Sequence, residues 1–162
     1  MNFHKIVFTL IFFSLISSNP IIGELAPDFT LPDETNTNHT LSKYRGKNII
    51  LYFYPRDNTP GCTKEACSFR DSYSEIMELN TIIFGVSYDK PSKHQSFKSK
   101  FSLPFTLLSD IDGSVTKLYD ANGWFFPKRK TYLIDPNGII VKVYEKVDIS
   151  NHTKDIIDFL SN

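Results

Sequence analysis

Two apolar runs in the first half of the chain predict buried β-strands. Residues 48–54 (NIILYFY) and 81–88 (TIIFGVSY) are rich in β-branched and aromatic side chains and contain almost no polar positions. Strands covered on both faces have this composition, and such strands are usually central and parallel. Between them, apolar positions in residues 59–80 recur every three or four positions, which predicts a helix. This half of the chain is therefore predicted to form a strand–helix–strand unit with parallel strands.

A second helix is predicted after the second strand. Pro91 stands where a first helical turn would begin, and proline is tolerated there because the backbone N–H at that position has no partner within the helix. His94, Phe97 and Phe101 follow at helical spacing, so the helix is expected to cross the sheet. The His94 side chain is expected at the protein surface.

An antiparallel hairpin and a last helix complete the pattern. Residues 131–134 and 139–144 flank the turn sequence Asp-Pro-Asn-Gly, which predicts two antiparallel strands. After Ser150, apolar side chains again share one face of a helix. A mixed sheet of parallel and antiparallel strands with helices on both faces is the thioredoxin-like α/β arrangement. We therefore predict a single domain with this fold over residues 20–162.

Residues 1–19 are predicted to lie outside that domain. Lys5 is followed by the apolar residues 6–16 and then by the small polar residues 17–19. The apolar run is too short to span a bilayer comfortably but has the length of a signal peptide. This segment predicts export, either to a periplasm or out of the cell. Because an Ala-x-Ala cleavage pattern is absent, an uncleaved leader that anchors the protein to the membrane is the alternative.

The balance of charges narrows the choice of partners. The chain has 162 residues, of which 41% are hydrophobic, with 18 basic and 18 acidic side chains. A net charge of zero, without a block of Lys and Arg at either terminus, argues against nucleic acid as a partner. A small neutral or weakly polar substrate fits better. The charge balance leaves the oligomeric state open, and a monomer is what we expect.

The segment with the most specific chemistry joins the first predicted strand to the first predicted helix. Thr59 is suited to the N-cap, with its hydroxyl accepting from a free backbone N–H, and Pro60 is suited to the first helical position. Cys62 then falls in the first turn, where the helix dipole and unpaired N–H groups favour a thiolate. Gly61 has no side chain to block a substrate that approaches these N–H groups. The sequence therefore predicts a nucleophilic thiolate at Cys62.

The spacing of the two cysteines leaves several roles open for Cys67. Ideal helix geometry places Cα atoms five residues apart at about 8.5 Å, whereas a disulfide needs less than about 7 Å. A static structural bridge is therefore the poorer interpretation, a bridge that forms and breaks during turnover fits better, and a spectator thiol is the third possibility. The dithiol motif of thioredoxins is two residues shorter, and four dispersed histidines supply no recognised zinc ligand set.

The same segment resembles a known family. Pro55-x-x-x-Thr59-x-x-Cys62 matches the signature of peroxiredoxins, and the sequence TPGCTKEAC is similar to the bacterioferritin comigratory protein, or peroxiredoxin Q, subfamily. The resemblance extends from residues 26–31 through 103–110 to 129–135 and covers nearly all of the chain after the N-terminal segment.

This resemblance implies an activity and a set of roles. It implies a thiol peroxidase that reduces hydrogen peroxide and organic hydroperoxides without metal, haem or flavin. A thioredoxin-like donor would regenerate the reduced enzyme. Cys62 would be the peroxidatic cysteine, and Cys67 would resolve its sulfenic acid as a disulfide. Thr59 and Arg129 would stabilise the peroxide and the thiolate, and Pro55 would shield them. A permanently cationic guanidinium next to a thiolate is consistent with that role.

Other functions and roles are kept as alternatives. The same oxidation could serve a peroxide-sensing switch or a holdase without sustained turnover, and a structurally bridged binding domain ranks last. Lys64, Glu65, Arg70 and Asp71 are expected to form a solvated helix face with short-range ion pairs. Within residues 119–127, three aromatic side chains are expected near Arg129, at the mouth of the pocket: Trp124, Phe125 and Phe126.

Overall fold

The structure is a computed structural model and describes residues 20–162. Its strands and helices, in chain order, are β1 (Thr30–Pro32), β2 (Asn38–Thr40), β3 (Asn48–Phe53), α1 (Pro60–Asp71), α2 (Tyr73–Glu78), β4 (Thr81–Ser87), α3 (Pro91–Phe101), β5 (Thr106–Ser109), α4 (Ser114–Leu118), β6 (Lys130–Ile134), β7 (Ile140–Tyr144) and α5 (His152–Leu160). A 3₁₀ turn, Leu41–Tyr44, lies between β2 and β3. Within residues 20–162, none of the helices is long and apolar enough to cross a membrane.

The main sheet has five strands in the order β5-β4-β3-β6-β7. Strand β3 is parallel to β4 and antiparallel to β6, while β4 is also parallel to β5 and β6 is also antiparallel to β7. In this register Leu51 lies opposite both Phe84 and Tyr132. The apolar run of β3 therefore forms the middle of the sheet, where side chains are covered on both faces.

The order of the strands determines which helices cover each face. Because β3, β4 and β5 follow one another in the same direction across the sheet, right-handed crossovers place α1 and α3 on the same face. The core on that face contains Ala66 and Phe69 of α1, Ile76 of α2, Phe97 of α3 and Ile156 of α5. The core on the opposite face contains Leu31 of β1, Leu41 of the 3₁₀ turn and Val115 of α4.

The predicted fold class is confirmed, because a mixed five-stranded sheet with helices on both faces is the thioredoxin-like arrangement. One predicted helix is divided in two. Ser72 has φ −100° and ψ 10°, so α1 ends before it and α2 begins after it. The apolar period continues through the break because both helices pack against the same core, and periodicity therefore could not reveal it. The short elements β1, β2, β5 and α4 carried no sequence prediction.

A single glycine fixes how closely β3 and β4 approach. Gly85 lies directly opposite Tyr52, and a Cβ atom at Gly85 would lie 2.7 Å from both Cζ and the hydroxyl oxygen of Tyr52. We expect Gly85→Ala to lower the free energy of unfolding by about 1–3 kcal/mol, because the tyrosine ring is buried and has little room to move. Urea denaturation measures this change. In a Tyr52→Leu background the same substitution should cost much less, and equal costs in both backgrounds would contradict the assigned contact.

Candidate functional site

The loop after β3 leads directly into α1. Thr59 has extended backbone angles, φ −86° and ψ 150°, Pro60 is the first helical residue, and the Thr63 N–H donates to the Thr59 carbonyl at 2.9 Å. Thr59 is thus the N-cap by backbone conformation, as predicted. Its hydroxyl does not cap the helix, however, because it donates to the Arg56 carbonyl at 3.1 Å. A hydroxyl that donates its proton locally keeps its oxygen lone pairs for another donor.

The sheet brings Cys62 and Arg129 together. Phe53, at the end of β3, pairs with Lys130, so Arg129 lies at the same edge of the sheet as the loop that precedes α1. Arg129 Nη2 donates to Cys62 Sγ at 3.2 Å, and Cys62 is only 2% exposed. Gly61 lies against the same guanidinium, since a Cβ there would be in van der Waals contact with Arg129 Nη2 at 3.4 Å. A fixed positive charge therefore faces the sulfur of a thiol in the first turn of a helix.

A buried carboxylate completes this arrangement. Arg129 Nη1 forms an ion pair with Glu65 Oε2, while Glu65 Oε1 has no hydrogen-bond partner within residues 20–162. Burial raises the pKa of Glu65 to about 7, although the charge and hydrogen bond of Arg129 oppose the rise. The expectation that Glu65 is solvated was wrong. Its spacing already placed it on the buried face, three residues after Cys62 and four before Phe69.

Cys67 lies on the same unbroken helix as Cys62. Both cysteines are free thiols within α1, and Cys67 is partly exposed. The helix geometry that separates residues five apart by about 8.5 Å therefore applies to them. A bridge between the two would require α1 to unwind over its first turns.

Pro55 lies at a surface cavity of about 290 Å³. The lining of this cavity includes Arg56, Tyr88, Phe125 and Phe126. Two of the three aromatic side chains expected at the pocket mouth are therefore next to Pro55. The third, Trp124, is 97% exposed and projects into solvent.

The expectation that His94 lies at the surface was wrong. Its side chain is fully buried and its Nδ1 lies 2.8 Å from Asp57 Oδ2, in the loop that leads to α1. The spacing of His94, Phe97 and Phe101, which predicted the helix, also placed the imidazole on the face that packs against the sheet. A polar residue on an apolar helix face is buried with the rest of that face and needs a hydrogen-bond partner there.

Fold and site together define a thioredoxin-fold protein built around a buried, cation-paired thiol. The model of the AhpC/TSA family matches residues 22–143, which is most of the chain. Peroxiredoxin Bcp of Bacillus subtilis is 41% identical over 151 residues, which cover 87% of this chain and 95% of that protein. The chloroplastic peroxiredoxin Q of Suaeda salsa is 42% identical over 144 residues, which cover 86% of this chain and 67% of that protein.

Solved structures agree with this assignment. Peroxidoxin BcpB of Mycobacterium tuberculosis has a TM-score of 0.82 at 31% identity, covering 88% of this chain and 97% of that one. Peroxiredoxin Q of Xylella fastidiosa has a TM-score of 0.85 at 30% identity, covering 89% of this chain and 97% of that one. The chain belongs to the AhpC/TSA family, in its peroxiredoxin Q and Bcp branch, and is a thiol peroxidase that reduces peroxides.

The predicted signal peptide is contradicted by the same relatives. The family match begins at residue 22, and only 5% of the Bacillus subtilis protein lies outside its alignment with this chain, so that protein has no counterpart of a 19-residue leader. The apolar run alone is weak evidence for a signal peptide, because the Ala-x-Ala cleavage pattern that should follow it is absent. Residues 1–19 lie outside the described residues, and export or membrane anchoring stays an untested prediction.

The titration of Glu65 generates a prediction about stability. Its pKa is about 7 in the folded chain against an ordinary value of 4.5, so the folded state binds this proton more tightly and loses stability as pH rises from 4.5 to 7. The free energy of unfolding of the wild type, minus that of Glu65→Gln, should fall by roughly 2 kcal/mol between pH 5 and 8.

Urea denaturation across this pH range measures the difference. The subtraction removes the opposite contribution of His152, whose pKa burial lowers to about 4 and which is present in both chains. Glu75→Gln, at an exposed glutamate of α2, is the matched control and should show a constant offset. A constant offset for Glu65→Gln as well would contradict the buried titration.

Proposed function

We propose that Cys62 is the peroxidatic cysteine of this peroxidase and that Cys67 resolves its oxidised form. The observation that carries the proposal is the hydrogen bond from Arg129 Nη2 to Cys62 Sγ at 3.2 Å, at the first turn of α1. A guanidinium and the positive end of a helix both stabilise negative charge on sulfur. Cys62 is thereby the better placed of the two thiols to act as a nucleophile.

In the first step the Cys62 thiolate attacks one oxygen of the peroxide. The S–O bond forms as the O–O bond breaks, sulfur is oxidised to sulfenic acid, and the departing oxygen leaves as hydroxide or alkoxide and takes up a proton. Arg129 stabilises the negative charge on that oxygen, and the Thr59 hydroxyl orients the peroxide. Pro55 shields the loop without offering a competing N–H.

In the second step Cys67 attacks the sulfenic acid. The S–S bond forms, the S–O bond breaks, and the hydroxyl group leaves with a proton as water. Because α1 holds both cysteines on one helix, its first turns must unwind before the sulfur atoms can meet. Two thiols of a thioredoxin-like donor then reduce the disulfide by exchange and become oxidised themselves.

We propose both hydrogen peroxide and organic hydroperoxides as substrates, and a monomer as the working unit. Phe125 and Phe126 are exposed and line the cavity beside Pro55, which offers an apolar surface to the organic part of a hydroperoxide. The neutral net charge sets up no long-range field that would select charged substrates.

Turnover with cysteine variants tests the proposal. With hydrogen peroxide and a thioredoxin system, the wild type should consume many equivalents of peroxide per chain, because each cycle restores both thiols. Cys62→Ser should be inactive, and Cys67→Ser should stall as a sulfenic acid that mass spectrometry detects after trapping. If the wild type consumes no more than about one equivalent even with reductant, the cycle is wrong and the sensing switch or holdase replaces it.

The unwinding of α1 has its own signature in amide hydrogen exchange. Oxidation to the disulfide should speed exchange in residues 60–68, because their helical hydrogen bonds are lost, whereas α3 serves as the internal control and should keep its protection. Exchange is measured by mass spectrometry on the reduced and the oxidised chain. Equal exchange of residues 60–68 in both states would contradict a bridge between Cys62 and Cys67.

A further inference from the structure

A buried imidazole and a buried carboxylate lie beneath the loop that precedes α1. The side chains of His94 and Asp57 are 0% and 2% exposed, and His94 Nδ1 lies 2.8 Å from Asp57 Oδ2. His94 belongs to α3, whereas Asp57 lies two residues before Thr59. The pair therefore joins a helix on one face of the sheet to the loop that carries the proposed site.

Each side-chain polar atom of the pair has a hydrogen-bond partner. His94 Nε2 lies 3.2 Å from the Leu108 carbonyl, which can only accept, so this nitrogen donates. Asp57 Oδ1 accepts from the Tyr54 hydroxyl at 2.7 Å, and Asp57 Oδ2 shares a hydrogen bond of 2.8 Å with His94 Nδ1. Both side chains are therefore held in one orientation.

A second contact fixes the backbone at the same point. The Asp57 N–H donates to Asp89 Oδ2 at 2.8 Å, so both the main chain and the side chain of Asp57 are held. Asn58 follows with a φ of 58°, in the left-handed region, and Thr59 then adopts the extended conformation of the N-cap. Only Asn58 and Thr59 therefore separate the His94–Asp57 contact from the start of α1.

We propose that His94 is a positioning residue for the reaction with peroxide. Through Asp57 it fixes the loop 57–59, and with it the placement of the Thr59 hydroxyl relative to the Cys62 sulfur. This role rests on the proposed function of Cys62 and Thr59. A misplacement of a reacting or orienting group by about 1 Å can reduce a rate by up to about a hundredfold. A rigid, buried contact that prevents such a movement therefore matters for the rate.

Two substitutions at His94 separate its two hydrogen bonds. In His94→Asn the amide nitrogen occupies the place of Nδ1 and can still donate to Asp57, whereas in His94→Gln it reaches the place of Nε2 and can donate only to the Leu108 carbonyl. Both variants bury one uncharged amide, so their difference reports the Asp57 contact. Gln95→Ala, at an exposed position of α3, is the neutral control.

The rate constant for oxidation of Cys62 by hydrogen peroxide is measured by rapid quenching and sulfenic acid trapping, with Cys67→Ser in every chain. His94→Gln should lower it by about tenfold or more, and His94→Asn should stay within about threefold of wild type. Alkylation of Cys62 by iodoacetamide does not use the Thr59 hydroxyl, so its rate should change little in either variant. Circular dichroism and the unfolding midpoint establish that each chain is folded.

Equal peroxide rates in His94→Gln and wild type would overturn the positioning role, and so would equal losses in the Gln and Asn variants or a parallel loss of alkylation. If His94→Gln does not fold, Tyr54→Phe removes a different hydrogen bond to Asp57 and should slow peroxide oxidation severalfold. An unchanged rate in that variant would be equally decisive. A Cys62→Ser chain that still reduces peroxide would instead refute the proposed function itself.

Discussion

The arrangement of the site depends on one guanidinium shared between a thiol and a buried carboxylate. Arg129 donates through Nη2 to Cys62 and through Nη1 to Glu65, and neither of these partners has more than 2% of its surface in solvent. A carboxylate buried at this depth is costly unless a cation accompanies it, and the cation in turn is held in one orientation by the carboxylate. The position of the charge that faces the sulfur is thus fixed by the requirement to neutralise Glu65.

The sheet topology makes that contact possible. Strand β6 is inserted next to β3 in the antiparallel sense, so the residue before β6 and the loop after β3 meet at one edge of the sheet. The parallel partner β4 occupies the other side of β3, and the lack of a Cβ at Gly85 leaves room for the Tyr52 ring. The site is therefore assembled from chain segments more than sixty residues apart.

The elements around the site could be predicted from the sequence where a few neighbouring residues specify them. The apolar runs of β3 and β4 and the turn residues before β7 specify their elements directly, and the proline and threonine before Cys62 place it in a first helical turn. The resemblance to peroxiredoxins added Arg129, which the sequence alone does not distinguish from the neighbouring Lys128 and Lys130. Glu65 and His94 have helical spacings that place both on buried faces, but polar side chains usually indicate exposure, and their buried partners Arg129 and Asp57 come from distant parts of the chain. The break at Ser72 and the short strands had no pattern to read, since tertiary packing alone determines them.

The break at Ser72 also limits how far a disturbance of α1 can travel. A helix unfolds cooperatively along consecutive helical residues. In α1 this run is twelve residues long and ends at Ser72. Beyond that point α2 is held independently by Ile76, which is fully buried in the core. The unwinding proposed for the first turns of α1 therefore meets a helix end at Ser72, and α2 keeps its own anchor in the core.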